Sequence, residues 1–296
     1  MEINPLHPLF AAELIGADLS TEPDQTLIDL VEEAMAQYAV LVIRGQSHID
    51  DADHIRFSRA FGPLELPHGT RSDGAAPRKR ISPLLYDASN LRLDGEIMAP
   101  DDKAVANNKG NELFHMDSSF HAMPTKWSLL LGRSVTSEGG ETELVDTRAV
   151  YDALPEDVRQ GVEGRVAEHN VWISRQRIGF EGTMALKEMY PAVTHDIVGL
   201  SASGRKCLVI GSHADHIIGM EEAEGRALLD ALVAFASQPQ FIYSHRWQQG
   251  DLLIWDNRCT LHRARPFDYF GVKRDLRRST ICEYGEEMSA IEARRT

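Results

Sequence analysis

Apolar positions follow two rhythms along this chain. Between residues 23 and 38, Leu27, Leu30, Val31, Ala34 and Met35 recur every three or four places. That spacing predicts a helix with one buried stripe, and Pro23 suits its first turn. The β-branched run 39–44 (AVLVIR), stopped by Gly45, predicts a buried strand. A second short helix is predicted over 51–61, with Asp50 as its N-cap and Gly62-Pro63 as its stop. From residue 112 the rhythm shortens. LFHMDSSF, WSLLLGRSV, TELVDT, FIYSHRW, DLLIWDN, CTLHRA and LRRSTICEY each predict a strand between turns. The segment 191–211 predicts a hairpin, and 147–164 two short helices broken at Pro155. The segment 221–237 predicts an amphipathic helix that turns Leu228, Leu229, Leu232, Val233 and Phe235 to a core.

Two stretches lose all rhythm, 66–80 and 99–111. Aperiodic loops of this length are commonly functional, so both are candidate lids. Many short strands with helical decoration point to a mainly β architecture, a closed sandwich or barrel. No repeat, linker or shift in composition divides the chain, so one domain over 1–296 is expected.

Composition narrows the classes. The 296 residues carry 31 Lys+Arg against 45 Asp+Glu, a formal net charge of −14. That balance argues against a nucleic-acid partner, yet a buried pocket sets its own local charge and can still take a small anion. The start MEINPLHPLF has no basic n-region, and no apolar run approaches the roughly 18 residues of a membrane span. Cys207, Cys259 and Cys282 form no C-x-x-C pair. A disulfide framework is therefore not expected, and the expected compartment is the cytoplasm.

Candidate chemistry centres on His115-Met116-Asp117. On a strand, alternate side chains share a face about 7 Å apart, so this pair can supply two ligands to one metal ion. His262, on another strand-like run after the turn 256–258, is the candidate third ligand. Two histidines and a carboxylate on one face of a metal leave positions open for non-haem Fe(II) oxygen chemistry. A lone H-x-D occurs by chance, and a second one, His213-Ala214-Asp215, stands beside His216. Arg274 and Arg278 follow His262. Guanidinium forks recognise carboxylates in bidentate fashion, so these arginines suit a carboxylate-bearing cosubstrate, although an isolated Arg274, Arg277, Arg278 run would ordinarily be a solvated face.

At these residues the chain resembles the Fe(II)/α-ketoglutarate-dependent dioxygenases of the TauD/TfdA family, and within it the 2,4-dichlorophenoxyacetate branch. The likeness runs in family order through NPLHPLFAA (4–12), LVIRGQ (41–46), FGPLE (61–65), FHMDSSF (114–120) and GGETELVDTRAVYDALP (139–155). It continues through SGRKCLVIGSHADH (203–216), GDLLIWDNRCTLHR (250–263) and LRRST (276–280). The resemblance implies a double-stranded β-helix, or jelly roll, with Fe(II), α-ketoglutarate and O2 as cofactor and cosubstrates. It assigns His115, Asp117 and His262 to the iron, and Thr142 and Arg274 to the far carboxylate of α-ketoglutarate. It assigns Arg278 to the anionic group of the substrate, and His216, Ser119 and Asn111 to the substrate pocket. A small anionic substrate follows, an aryloxyalkanoate such as 2,4-dichlorophenoxyacetate, cleaved to a phenol and glyoxylate; the alternative is a taurine or alkylsulfonate dioxygenase, or a hydroxylase of another small carboxylate. Family members are commonly homo-oligomeric, so a homo-oligomer is expected.

Two departures stand out. Phe114 occupies a position where the family commonly has Trp, and the loop after FGPLE offers His68, Thr70 and Arg71 where herbicide-cleaving relatives have a lysine. Arg71 is therefore a candidate substrate contact. Asp117 itself argues for hydroxylation, because the halogenases of the superfamily lack this carboxylate. A binding protein that kept the scaffold without the chemistry is the reading of a different class.

Overall fold

The computed structural model describes residues 1–67, 80–123, 125–180, 187–188, 190–283, 285–286 and 288–289. The first third of the chain holds β1 (Glu2–Pro5), β2 (Ala12–Ile15), α1 (Gln25–Tyr38), β3 (Val40–Ile43), α2 (Asp51–Arg59), β4 (Glu65–Leu66), β5 (Tyr86–Asp87) and α3 (Lys103–Asn108). The middle holds β6 (Thr125–Ser134), β7 (Thr142–Asp146), α4 (Thr147–Ala153), α5 (Glu156–Val162), β8 (Val166–His169), α6 (Val171–Gln176), β9 (Val193–Asp196), β10 (Val198–Leu200) and β11 (Lys206–Leu208). The last third holds β12 (Ala214–Ile217), α7 (Glu222–Ala236), β13 (Ile242–His245), β14 (Leu252–Asp256), β15 (Thr260–Ala264) and β16 (Asp275–Cys282).

Two sheets make the frame. Seven strands run in the order β1-β2-β3-β14-β6-β16-β5, and three in the order β13-β7-β15. Side-chain alternation builds the layers. Val40 and Val42 turn to one face of β3, where they meet Leu130, Leu253, Trp255, Leu276 and, from the smaller sheet, Leu144. Leu41 and Ile43 turn to the other face and pack under Leu27, Val31 and Met35 of α1 and Phe57 of α2. Beyond the smaller sheet, Val145 and Leu261 pack against α4 and α7 through Val150, Leu229 and Leu232. The result is a two-sheet sandwich with a helical layer outside each sheet, the jelly-roll layout expected. Among the described residues no sheet closes on itself, so the layers are open rather than a closed barrel.

Local signals explain most boundaries. Helix α1 begins two residues later than predicted, because the Asp24 carboxylate, not Pro23, supplies the cap by accepting from Leu27 N–H at 2.8 Å. Asp50 and Asp53 form a reciprocal capping box on α2. Pro155 separates α4 from α5. The predicted hairpin narrows to β10 and β11, because β9 pairs with β8 instead. The stretch 99–111 is not an open loop. It folds into α3 and a 3-10 turn, Lys109–Glu112, which escape notice because neither is long enough to show an apolar stripe. Most of the other candidate lid, residues 68–79, lies outside the described residues. No helix among the described residues is long and apolar enough to cross a membrane.

Candidate metal centre

His262 sits on β15, opposite Leu144 of β7. Its neighbour Leu261 faces the outer helical layer, so alternation turns His262 into the space between the sheets. The Trp255 ring packs at 4.6 Å from the imidazole. His115 then adds itself to the free edge of β15. His115 N–H donates to His262 O at 3.0 Å, and His262 N–H donates back to His115 O at 2.9 Å.

The run 113–120 is not the strand its alternation predicts. His115 makes a single bridge, and residues 117–120 form a turn with Ser118 at a φ of 57°. The bend folds Asp117 back toward both imidazoles. Its Oδ1 lies 3.9 Å from His115 Nε2 and 3.8 Å from His262 Nε2. A straight strand would have left the first pair farther apart.

All three side chains are buried, and their ligand atoms lie within 4.8 Å of one another. The His115 Nδ1–H donates to Leu113 O at 2.8 Å, which leaves the Nε2 lone pair facing Asp117. Burial holds both histidines in the neutral form a metal requires, His262 down to about 3. Burial works the other way on Asp117, but the Arg278 guanidinium and the two histidines outweigh it and hold the carboxyl well below its usual range. Two neutral imidazoles and one ionised carboxylate, so placed, fit a single divalent ion.

Further residues fix the carboxylate. Ser128 Oγ donates to Asp117 Oδ2 at 2.7 Å, and Asn257 Nδ2 donates to that hydroxyl at 3.1 Å. Arg278 Nη1 reaches both Asp117 oxygens at 2.7 Å, with its guanidinium over the Tyr86 ring at 4.7 Å. The structure thus places Arg278 on the Asp117 carboxylate. Its Nε is buried with no acceptor among the described residues.

Arg274 bonds to the Gly139-Gly140 turn, and Thr142 follows that turn two residues later. Both glycines have φ near +70°, and a Cβ on Gly140 would come within 3.3 Å of Arg274 Nε. Arg274 is 8% exposed and donates from Nη2 to Gly140 O at 3.0 Å. No carboxylate pairs with it among the described residues. Burial lowers it to about 10, still protonated at neutral pH. A buried guanidinium without a counter-ion is costly and is a ready receptor for an anion. Thr142 Oγ1 accepts from Trp247 Nε1 at 3.1 Å.

The other expected contacts divide. Ser119 is buried at the site, its hydroxyl 3.2 Å from His213 Nδ1. His213, not His216, is the histidine against the triad, its ring centroid 5.5 Å from that of His115. His216 lies instead with Asp215 and Glu168, and Asp215 is paired to Arg226 at 2.6 Å. The cause is local. Gly211, at a φ of 127°, lets the loop approach within about a van der Waals contact of His115 Cα, and a register shift in β12 then redirects the residues after Ala214. Asn111 is exposed on the 3-10 turn and makes no hydrogen bond to the triad. Arg71 lies outside the described residues. Phe114 carries the Arg263 guanidinium over its ring at 4.3 Å. Ser128 and Trp255 were not anticipated; their only sequence trace is a place on strands flanking the predicted ligands.

Comparison with known proteins agrees with this geometry. Residues 2–280 match the family model described as taurine catabolism dioxygenase TauD, TfdA family. The chain is 43% identical to the alpha-ketoglutarate-dependent 2,4-dichlorophenoxyacetate dioxygenase of Cupriavidus pinatubonensis, over 95% of this chain and 97% of that protein. It is 36% identical to the (S)-phenoxypropionate/alpha-ketoglutarate-dioxygenase of Sphingobium herbicidovorans, over 90% of each chain. The crystal structure of AAD-2 in complex with Mn(II) and N-oxalylglycine superposes with a TM-score of 0.86 and 38% identity, covering 97% of this chain and 100% of that one. The chain belongs to the TauD/TfdA dioxygenase family.

Proposed function

We propose that this protein is an Fe(II)- and α-ketoglutarate-dependent dioxygenase acting on a small aryloxyalkanoate of the 2,4-dichlorophenoxyacetate type. The carrying observation is the pairing of a buried His115–Asp117–His262 cluster with Arg274, a buried guanidinium that has no carboxylate partner. The near full-length likeness to two named aryloxyalkanoate dioxygenases supports the substrate class. Fe(II) bound by the three residues, with α-ketoglutarate, would supply the oxidant from O2, yielding succinate and CO2.

The chain's own residues do the rest. Arg274 and Thr142 anchor the far carboxylate of α-ketoglutarate, one by charge and one by its hydroxyl. Ser128 keeps Asp117 oriented. His213, Ser119 and Phe120 form a wall beside the triad, with the Phe120 and His213 rings 5.0 Å apart. Arg278 and Arg71 are proposed to draw in the substrate anion. Hydroxylation at the carbon beside the ether oxygen gives a hemiacetal, which collapses to a phenol and glyoxylate.

The test is a turnover screen over phenoxyacetates, phenoxypropionates and alkylsulfonates, following substrate-dependent O2 uptake and succinate release. Turnover of the phenoxy acids is expected, and Asp117→Ala and His262→Ala should abolish it. Sulfite release from sulfonates with inert phenoxy acids would replace this substrate class by the alkylsulfonate one.

A further inference from the structure

Glu65 is a buried acid with an unusual set of partners. It is 8% exposed, and among the described residues no lysine or arginine pairs with it. His121 Nε2 lies 3.8 Å from its Oε1, and the Arg278 guanidinium interacts with the carboxylate electrostatically without bonding to it. Hydroxyl donors serve it instead, Ser118 Oγ to Oε2 at 2.7 Å and Tyr86 OH to Oε1 at 3.0 Å. A buried carboxylate persists only where its partners satisfy it, and here two hydroxyls carry that task.

Those partners belong to two walls of the metal centre. Ser118 directly follows Asp117 and is held at a φ of 57°, a left-handed conformation unfavourable for a serine. Such strain persists only where the surroundings enforce it, and it gathers at functional sites. His121 closes the same turn by donating its N–H to Ser118 O at 2.9 Å. Tyr86 carries the Arg278 guanidinium, which in turn holds both Asp117 oxygens. Glu65 therefore reaches the metal carboxylate by two routes, through the chain at Ser118 and through the stack of Tyr86 on Arg278.

We propose that Glu65 is a positioning residue of the metal centre: its grip on Ser118 and Tyr86 sets the turn that aims Asp117 at His115 and His262. It has no hydrogen bond to the triad itself. The inference rests on the reading of those three residues as metal ligands and is independent of the substrate.

The experiment titrates metal-free protein with Mn(II) and compares wild type with Glu65→Ala, Glu65→Gln and Ser118→Ala. Residues bonded directly to metal ligands typically change affinity by about 10- to 100-fold. One bond further out, Glu65→Ala and Ser118→Ala should weaken Mn(II) by about five- to ten-fold with an unchanged circular dichroism spectrum. Glu65→Gln keeps the shape and can still bond both hydroxyls, so it should stay within about two-fold of wild type. A folded Glu65→Ala or Ser118→Ala with wild-type Mn(II) affinity would overturn the proposal, as would a Glu65→Gln as impaired as the alanine variant. Ser118→Ala, which removes a single hydroxyl, decides the matter should Glu65→Ala not fold. Wild-type protein that bound no Mn(II) would count against the metal reading instead.

Discussion

Among the described residues two arginines, Arg148 and Arg274, are buried in this sandwich, and their surroundings differ in one respect. Arg148, 1% exposed on α4, faces Asp146 with Nε and Nη2 at 2.9 Å, and its remaining donors reach Ala36 O and Gln37 O at the end of α1. Arg274 is buried almost as deeply, but among the described residues its guanidinium meets a carbonyl, Gly140 O, and the Phe267 ring at 5.3 Å, with no carboxylate. The first guanidinium is satisfied by the fold and ties a helix of one layer to another. The second is left without an anion among the described residues. Burial alone thus marks neither residue as functional; the missing counter-charge does.

Removing each arginine should separate the two roles. Arg148→Ala strands the Asp146 carboxylate and should cost about 3–5 kcal/mol in urea unfolding, the usual penalty for breaking a buried pair from one side. Arg274→Ala loses one hydrogen bond, about 1 kcal/mol, but should weaken α-ketoglutarate by about 1.5–3 kcal/mol, or roughly 10- to 150-fold in its Michaelis constant. Equal stability losses in the two variants would erase the distinction.

Acid titration sharpens the structural side. Burial holds His54 at about 4 and His169 at about 3. The unfolded chain protonates these rings near pH 6.5 while the folded chain does not. Stability should therefore be full above that pH and fall as pH drops, by roughly 2 kcal/mol per histidine at pH 5. Asp275 extends the loss. Burial acts to raise it, but hydrogen bonds from Arg80 and Arg277 prevail and hold it at about 2, so its contribution disappears only between about pH 4 and 2. Urea midpoints at pH 7, 5 and 3.5 check both steps, and a flat profile from pH 7 to 5 would contradict the first. The smallest expected effect is His216→Gln, within about two-fold of wild type in every kinetic constant. His213→Gln should raise the substrate Michaelis constant about five-fold, the worth of one neutral hydrogen bond. The reverse ranking would restore His216 to the pocket.

These contrasts also show what a sequence makes legible. His115, Asp117 and His262 stand out as candidate ligands because ligand chemistry restricts residue type and spacing, and the fold brings the three together. The two-sheet core was readable because Val40 to Ile43 and Leu252 to Trp255 fill both faces of their strands. The turn at 117–120 was not, because Phe114, Met116 and Phe120 imitate strand alternation while Ser118 turns left-handed. His213 and His216 stand three residues apart, and the register shift in β12 leaves His213 as the one beside His115. Glu65 lies in the FGPLE motif, but its role was hidden, since its partners Ser118 and Tyr86 are 53 and 21 residues away.

The most direct test of the central claim is an anaerobic titration of Fe(II)-loaded protein with α-ketoglutarate, read by visible absorption. A metal-to-ligand charge-transfer band should appear in wild type, be absent in Asp117→Ala, and require at least about ten-fold more α-ketoglutarate in Arg274→Ala. A well-folded wild-type protein that gave no band, or an Arg274→Ala variant that saturated at the wild-type concentration, would contradict it.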